Sequence, residues 1–170
     1  MARSVFLIGL MGAGKTTVGR ILARELKYRF VDTDHEIETR TGVDIPTIFE
    51  IEGERGFRRR ESQVIEELTR QSGIVLATGG GVVLDPGNRH HLREHGTVVY
   101  LAASPETLNE RTRHDRARPL LQVDDRLATL KNLYLQRDPL YREIAHLVVE
   151  VGNTQASQVA RRILKAVPGS

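Results

Sequence analysis

At 170 residues with a formal net charge of +3, the chain is long enough for one packed domain and too short for two. With no cysteine it has neither a disulfide framework nor a cysteine-ligated zinc site. Aromatic residues are 5% of the chain and acidic residues interleave with basic ones, which excludes a base-stacking nucleic-acid surface; no apolar run approaches the roughly 20 residues that span a bilayer.

Arg3 and the apolar run after it have the outline of a weak signal peptide, but the run is short and flows into a glycine pattern. The chain is therefore expected to be soluble, untargeted and cytoplasmic. Val5–Ile8 reads as a buried strand and Thr16–Lys27 as an amphipathic helix with Val18, Ile21, Leu22 and Leu26 on one stripe. Arg29–Asp32 is a short second strand. Asp34 or a neighbour opens a helix that Gly42 ends, and a mostly helical segment runs to about Gln71. Ile74–Thr78 is a strand entering Gly79-Gly80-Gly81. Asp85-Pro86 and Ser104-Pro105 each place a capping residue before a proline, starting helices that end near Gly96 and Arg113. Thr97–Leu101 is a strand, His114–Val123 a polar loop broken by Pro119, and Asp125–Arg137 a helix. His146–Val151 and Thr154–Ala166 close the chain as strand and helix. Five apolar strands alternating with helices predict an α/β fold, a parallel sheet covered on both faces.

Gly9-Leu10-Met11-Gly12-Ala13-Gly14-Lys15-Thr16 matches G-x-x-x-x-G-K-[ST] at every fixed position, between a buried strand and an amphipathic helix. The glycines let successive backbone N–H groups close around phosphates, and the helix start adds partial positive charge. Lys15 would reach the β- and γ-phosphates of ATP, and the Thr16 hydroxyl would ligate Mg²⁺.

Asp32 and Asp34 flank Thr33 at the carboxyl end of the second strand, the edge where open α/β sheets bind ligands. One can hold Mg²⁺ and the other accept hydrogen bonds from a substrate hydroxyl; Asp34 also fits a helix cap. Arg58, Arg59 and Arg60 fall on a helix with about 100° between neighbours, so they cannot all face one site. Glu61 stands three residues from Arg58 and can hold it. The backbone N–H groups of Gly79–Gly81 suit close approach to a ligand. Only 4 of the 25 basic residues are lysines. This is either a coding bias or a use of arginine's planar fork for carboxylate and phosphate.

The P-loop, Asp32-Thr33-Asp34, Gly56-Phe57-Arg58-Arg59-Arg60-Glu61, Thr78-Gly79-Gly80-Gly81, Arg118-Pro119-Leu120 and Arg137-Asp138-Pro139-Leu140-Tyr141 together resemble the shikimate kinase family. The P-loop is common to many kinases; the other segments are more specific. The resemblance implies a nucleoside-monophosphate-kinase-like P-loop fold with a mobile lid at about 114–123 and a substrate-binding segment at about 34–61. It implies transfer of the ATP γ-phosphoryl group to the 3-hydroxyl of shikimate, in aromatic amino-acid biosynthesis. The nucleotide would lie on Gly12, Ala13, Gly14, Lys15, Thr16 and Thr17, with Arg111 against adenine, Arg118 at the phosphates and Gln155 in the adenine loop. Asp34, Arg58, Gly80, Gly81 and Arg137 would hold shikimate, Thr16 and Asp32 would hold Mg²⁺, and Lys15, Asp34 and Arg118 would be catalytic. The expected partners are ATP and shikimate, with no nucleic acid or membrane and a monomeric state. Gluconate, which also offers a carboxylate and hydroxyls, is the rival acceptor.

Overall fold

A computed structural model of the chain describes residues 3–113 and 125–167. Its five strands are β1 (Ser4–Ile8), β2 (Arg29–Asp32), β3 (Ile74–Ala77), β4 (Gly96–Ala102) and β5 (Leu147–Glu150). All neighbours run parallel, in the order β2-β3-β1-β4-β5. Every residue of β1, β3 and β4 is buried, as expected of strands covered on both faces. The helices are α1 (Lys15–Leu26), α2 (Thr33–Thr41), α3 (Ile45–Leu68), α4 (Pro86–His95), α5 (Pro105–Thr112), α6 (Arg126–Ile144) and α7 (Ala156–Ala166). α1 packs on α7, while α4 packs on α3 and α6. None of the helices is long and apolar enough to cross a membrane, among the described residues.

β1 lies between β3 and β4, so the chain passes outward to β2, returns through β3, then crosses to β4. The crevice beyond the carboxyl ends of β1, β2 and β3 is where such a reversal places a ligand.

Three boundaries differ from the sequence pattern. α6 continues through Pro139 to Ile144 instead of ending at Arg137. The ring removes the N–H that would reach the carbonyl of Leu135, and Leu135 is exposed, so that turn is open to solvent. α3 is broken at Gly53, whose φ of 73° and ψ of 177° no helix contains. The cap of α2 is Asp32 rather than Asp34: its side chain accepts from the N–H groups of Asp34 and His35. Asp34 is thereby freed from capping and sits in the first turn.

α1 ends at Lys27, the only non-glycine residue with positive φ (60°) among those described, and Tyr28 N–H closes the turn onto the Ala23 carbonyl at 2.8 Å. A side chain in this conformation costs about 1 kcal/mol that glycine avoids. Lys27→Gly is expected to raise the thermal midpoint by about 2–4 °C, read by calorimetry; a fall would mean that the lysine side chain stabilises the turn.

Candidate active site

Three strand ends converge on a cavity of about 370 Å³. β1 delivers the P-loop, in which Gly12 (φ 87°) and Gly14 (φ 98°) adopt backbone that other residues resist. α1 starts on Gly14 without a capping side chain and with no acid in its first turn, so the helix start keeps its donors and its positive field for an anion. Lys15 Nζ donates to the carbonyl of Gly9, and to that of Leu10 at 3.1 Å. Arg111 from α5 braces the loop: Nη1 donates to the carbonyls of Gly12 and Ala13, each at 3.3 Å, and Nη2 to the carbonyl of Gly152. One guanidinium thus ties the P-loop to the 151–155 segment.

β2 delivers Asp32, whose two oxygens divide the work. Oδ1 caps α2, and Oδ2 accepts from Thr16 Oγ1 at 2.9 Å. A hydroxyl and a carboxylate oxygen therefore meet beside the loop. No cluster of three or more His, Cys, Asp or Glu that could hold a metal occurs among the described residues. That donor set fits Mg²⁺, which keeps several waters and takes one or two protein oxygens together with substrate phosphates.

β3 delivers the triple glycine, and each glycine makes room for a charged group. A Cβ on Gly79 would stand 2.8 Å from Asp34 Oδ1 and 3.0 Å from Glu61 Oε2; one on Gly80 would stand 3.4 Å from Arg137 Nη1; one on Gly81 would collide with the Arg58 guanidinium. Gly79 N–H is itself held by Thr33 Oγ1 at 3.0 Å, and the Gly80 carbonyl accepts from the Tyr141 hydroxyl. The turn therefore packs four ionisable side chains against bare backbone.

Arg58 projects from α3 with its Nη1 on Glu61 Oε1 at 3.0 Å and its guanidinium over the Phe57 ring. Arg137 projects from α6 and is 3% exposed, with Nε and Nη1 buried and lacking hydrogen-bond partners. Burial depresses its pKa and raises that of Tyr141. Glu61 is 1% exposed, and burial, opposed by Arg58, pushes its carboxyl up to about 7. Ile45, Phe49 and Phe57 form an apolar wall, the two rings 5.0 Å apart.

The cavity brings together Gly12, Gly14, Lys15, Thr16, Thr17, Asp32, Asp34, Arg58, Gly80, Gly81, Arg111 and Arg137. Ala13 is buried behind the loop and Gln155 is exposed at the start of α7, so neither lines it. Arg118 and the 114–123 lid lie outside the described residues. Arg60 turns away to Glu52, at 2.6 Å from Nε. Sequence reasoning gave Glu61 only a supporting place and missed the Tyr141 contact and the aromatic wall; the Arg58–Glu61 spacing was the available signal.

A family model described as shikimate kinase matches residues 11–168. The shikimate kinase of Dechloromonas aromatica (strain RCB) is 63% identical over 163 residues, covering 96% of this chain and 89% of that protein. That of Thiobacillus denitrificans (strain ATCC 25259 / T1) is 62% identical over 158 residues, covering 93% and 86%. A solved shikimate kinase from Acinetobacter baumannii, in complex with shikimate, matches with a TM-score of 0.95 and 50% identity over 97% of this chain and 92% of that one. A gluconokinase from Sinorhizobium meliloti 1021 shares the fold, with a TM-score of 0.62 at 19% identity over 96% and 90%. The chain belongs to the shikimate kinase family.

Proposed function

We propose that the chain transfers the γ-phosphoryl group of ATP to the 3-hydroxyl of shikimate, giving shikimate 3-phosphate and ADP, a step of aromatic amino-acid biosynthesis. The observation that carries this reading is one cavity holding a P-loop, a carboxylate at Asp34 and two arginines with buried N–H groups lacking partners. Buried donors without acceptors cost free energy, and a small anion with hydroxyls would recover it.

Each residue then has a task. Lys15 and the N–H groups of residues 12–17 hold the phosphates, and Arg111 lies against the adenine, with Gln155 beside it. Thr16 and Asp32 hold Mg²⁺, which when bound neutralises charge on the transferring group. Arg58 and Arg137 grip the shikimate carboxylate, completed by the backbone of Gly80 and Gly81. Asp34 orients the 3-hydroxyl and accepts its proton as the new P–O bond forms and the bond to the β-phosphate oxygen breaks. Arg118, from the lid over 114–123, approaches the phosphates, and closure excludes water as a competing acceptor. We place the reaction in the cytoplasm, with a monomeric chain; a cysteine-free composition suits a reducing compartment.

ADP release from Mg·ATP with shikimate, gluconate, AMP or no acceptor tests the reading. Turnover with shikimate alone is expected, and turnover with gluconate in its place would refute the substrate. Arg58→Ala is expected to raise the shikimate KM about 10- to 100-fold, the worth of one charge-assisted contact, with the ATP KM changed less than about twofold. An unchanged shikimate KM would remove Arg58 from the clamp.

A further inference from the structure

Arg58 reaches the cavity already engaged by two carboxylates. Its Nη1 donates to Glu61 Oε1 at 3.0 Å and its Nη2 to Glu54 Oε1 at 3.4 Å. Glu54 remains in contact with water, its side chain 53% exposed, whereas that of Glu61 is 1% exposed. The second oxygen of Glu61, Oε2, is buried without a hydrogen-bond partner. It faces the same side of Gly79 as Asp34 Oδ1, the two lying 3.0 Å and 2.8 Å from where a Cβ would stand. The ionisable groups around Glu61 are Arg58 on its own helix, Asp34 from α2, and Arg137 and Tyr141 from α6; the glycine turn adds none.

A carboxylate arriving at Arg58 competes for the guanidinium that now neutralises Glu61. Once Arg58 is shared with the substrate, Glu61 has less counter-charge, a second anion close by, and Asp34 still beside it. A buried carboxylate in that position gives up its charge rather than remain uncompensated. Burial already pushes the Glu61 carboxyl up to about 7 in the free chain, so little further change is needed near neutrality.

We infer that Glu61 is a positioning residue that yields Arg58 to the substrate carboxylate by taking up a proton from solvent, so that shikimate binding and proton uptake are linked. This rests on the functional reading above. The balance is one proton from the buffer onto one carboxylate, with shikimate bound as its anion and the proton returned when the product leaves. Taking up the proton removes the Glu61 charge from the side of Gly79 that Asp34 Oδ1 also faces, which relieves the repulsion between the two carboxyls. The free Glu61 carboxylate predominates above about pH 7, so shikimate affinity is greatest below that pH and falls as pH rises through it.

Calorimetric titration of the whole chain with shikimate, in phosphate and in Tris buffers at pH 7 and pH 8, counts the protons. Because the free carboxyl lies at about 7 and binding raises it, uptake is a fraction of a proton per site at both pH values. The Kd then weakens over that interval, by less than the roughly tenfold per pH unit that one full proton would give. Glu61→Gln keeps an oxygen for Arg58, and is expected to abolish uptake and flatten the pH dependence. A merely structural role would weaken binding equally at both pH values and leave the proton count unchanged. Binding without proton exchange in the wild type overturns the inference, as does uptake that persists in Glu61→Gln. Absence of shikimate binding by the wild type would refute the functional reading itself. Should Glu61→Gln fail to fold, infrared difference spectra of the wild type decide: a new protonated-carboxyl band on adding shikimate supports the inference, and its absence overturns it.

Discussion

Asp34→Asn is expected to lower kcat by about two to four orders of magnitude, with the ATP KM little changed. Asp32 takes the cap of α2 and the bond to Thr16, so Asp34 is held by its backbone N–H while its side chain faces the cavity. Asparagine keeps that shape but cannot accept the hydroxyl proton. The size of the loss reports on the transition state: phosphoryl transfer with a loose transition state gains chiefly from positioning and charge neutralisation, which places the effect toward the lower bound. Single-turnover measurement of shikimate phosphorylation checks it. A kcat within tenfold of the wild type would remove Asp34 as proton acceptor and leave it as a hydroxyl-orienting group.

The strands and the phosphate cradle were legible because their signals are local. Val5–Ile8 is an apolar run bounded by glycine, and the P-loop is eight consecutive residues between strand and helix. The interior of the cavity was less legible because its contacts join residues far apart in sequence. The triple glycine suggested backbone donors for a ligand. In the structure its lack of side chains also makes room for Asp34, Glu61, Arg137 and Arg58, which no spacing rule reveals. Glu61 read as a residue that can hold Arg58, and an i,i+3 pair on a helix is the same pattern whether solvated or buried; its near-complete burial follows from α3 packing against α2 and α4, with its carboxyl set beside Gly79. The helix expected to end at Arg137 runs on through Pro139 because tertiary packing holds it: Arg137 and Tyr141 flank the proline in sequence and both are buried, anchoring the helix on either side of the missing hydrogen bond. Asp32 and Asp34 could exchange the roles of cap and site residue on sequence alone, and only the hydrogen bonds to Asp32 Oδ1 separate them.

Arg137→Met is expected to move stability and function in opposite directions. The arginine is 3% exposed, its Nε and Nη1 have no hydrogen-bond partners, and its burial, with the Arg58 charge adding repulsion, outweighs what Tyr141 and Glu54 give back. Its guanidinium remains charged despite a depressed pKa. The free chain therefore holds a buried cation at a cost, and methionine fills similar space without it. Replacing buried charges by apolar groups is neutral or stabilising by about 1–4 kcal/mol, and each kcal/mol raises the midpoint of a chain this size by about 2–4 °C. The same substitution removes the Arg137 contact to the substrate carboxylate, at about 1.5–3 kcal/mol, so kcat/KM for shikimate falls by about one to two orders of magnitude. The ATP KM stays near wild type because Lys15, Thr16 and Arg111 stand on α1 and α5. Thermal unfolding and the coupled assay on the same sample check both signs. A midpoint lowered by more than about 5 °C would make Arg137 a structural support for Tyr141 and the Gly80 carbonyl. A raised midpoint with lost turnover would identify it as a cation kept at the expense of stability, for the anion it binds.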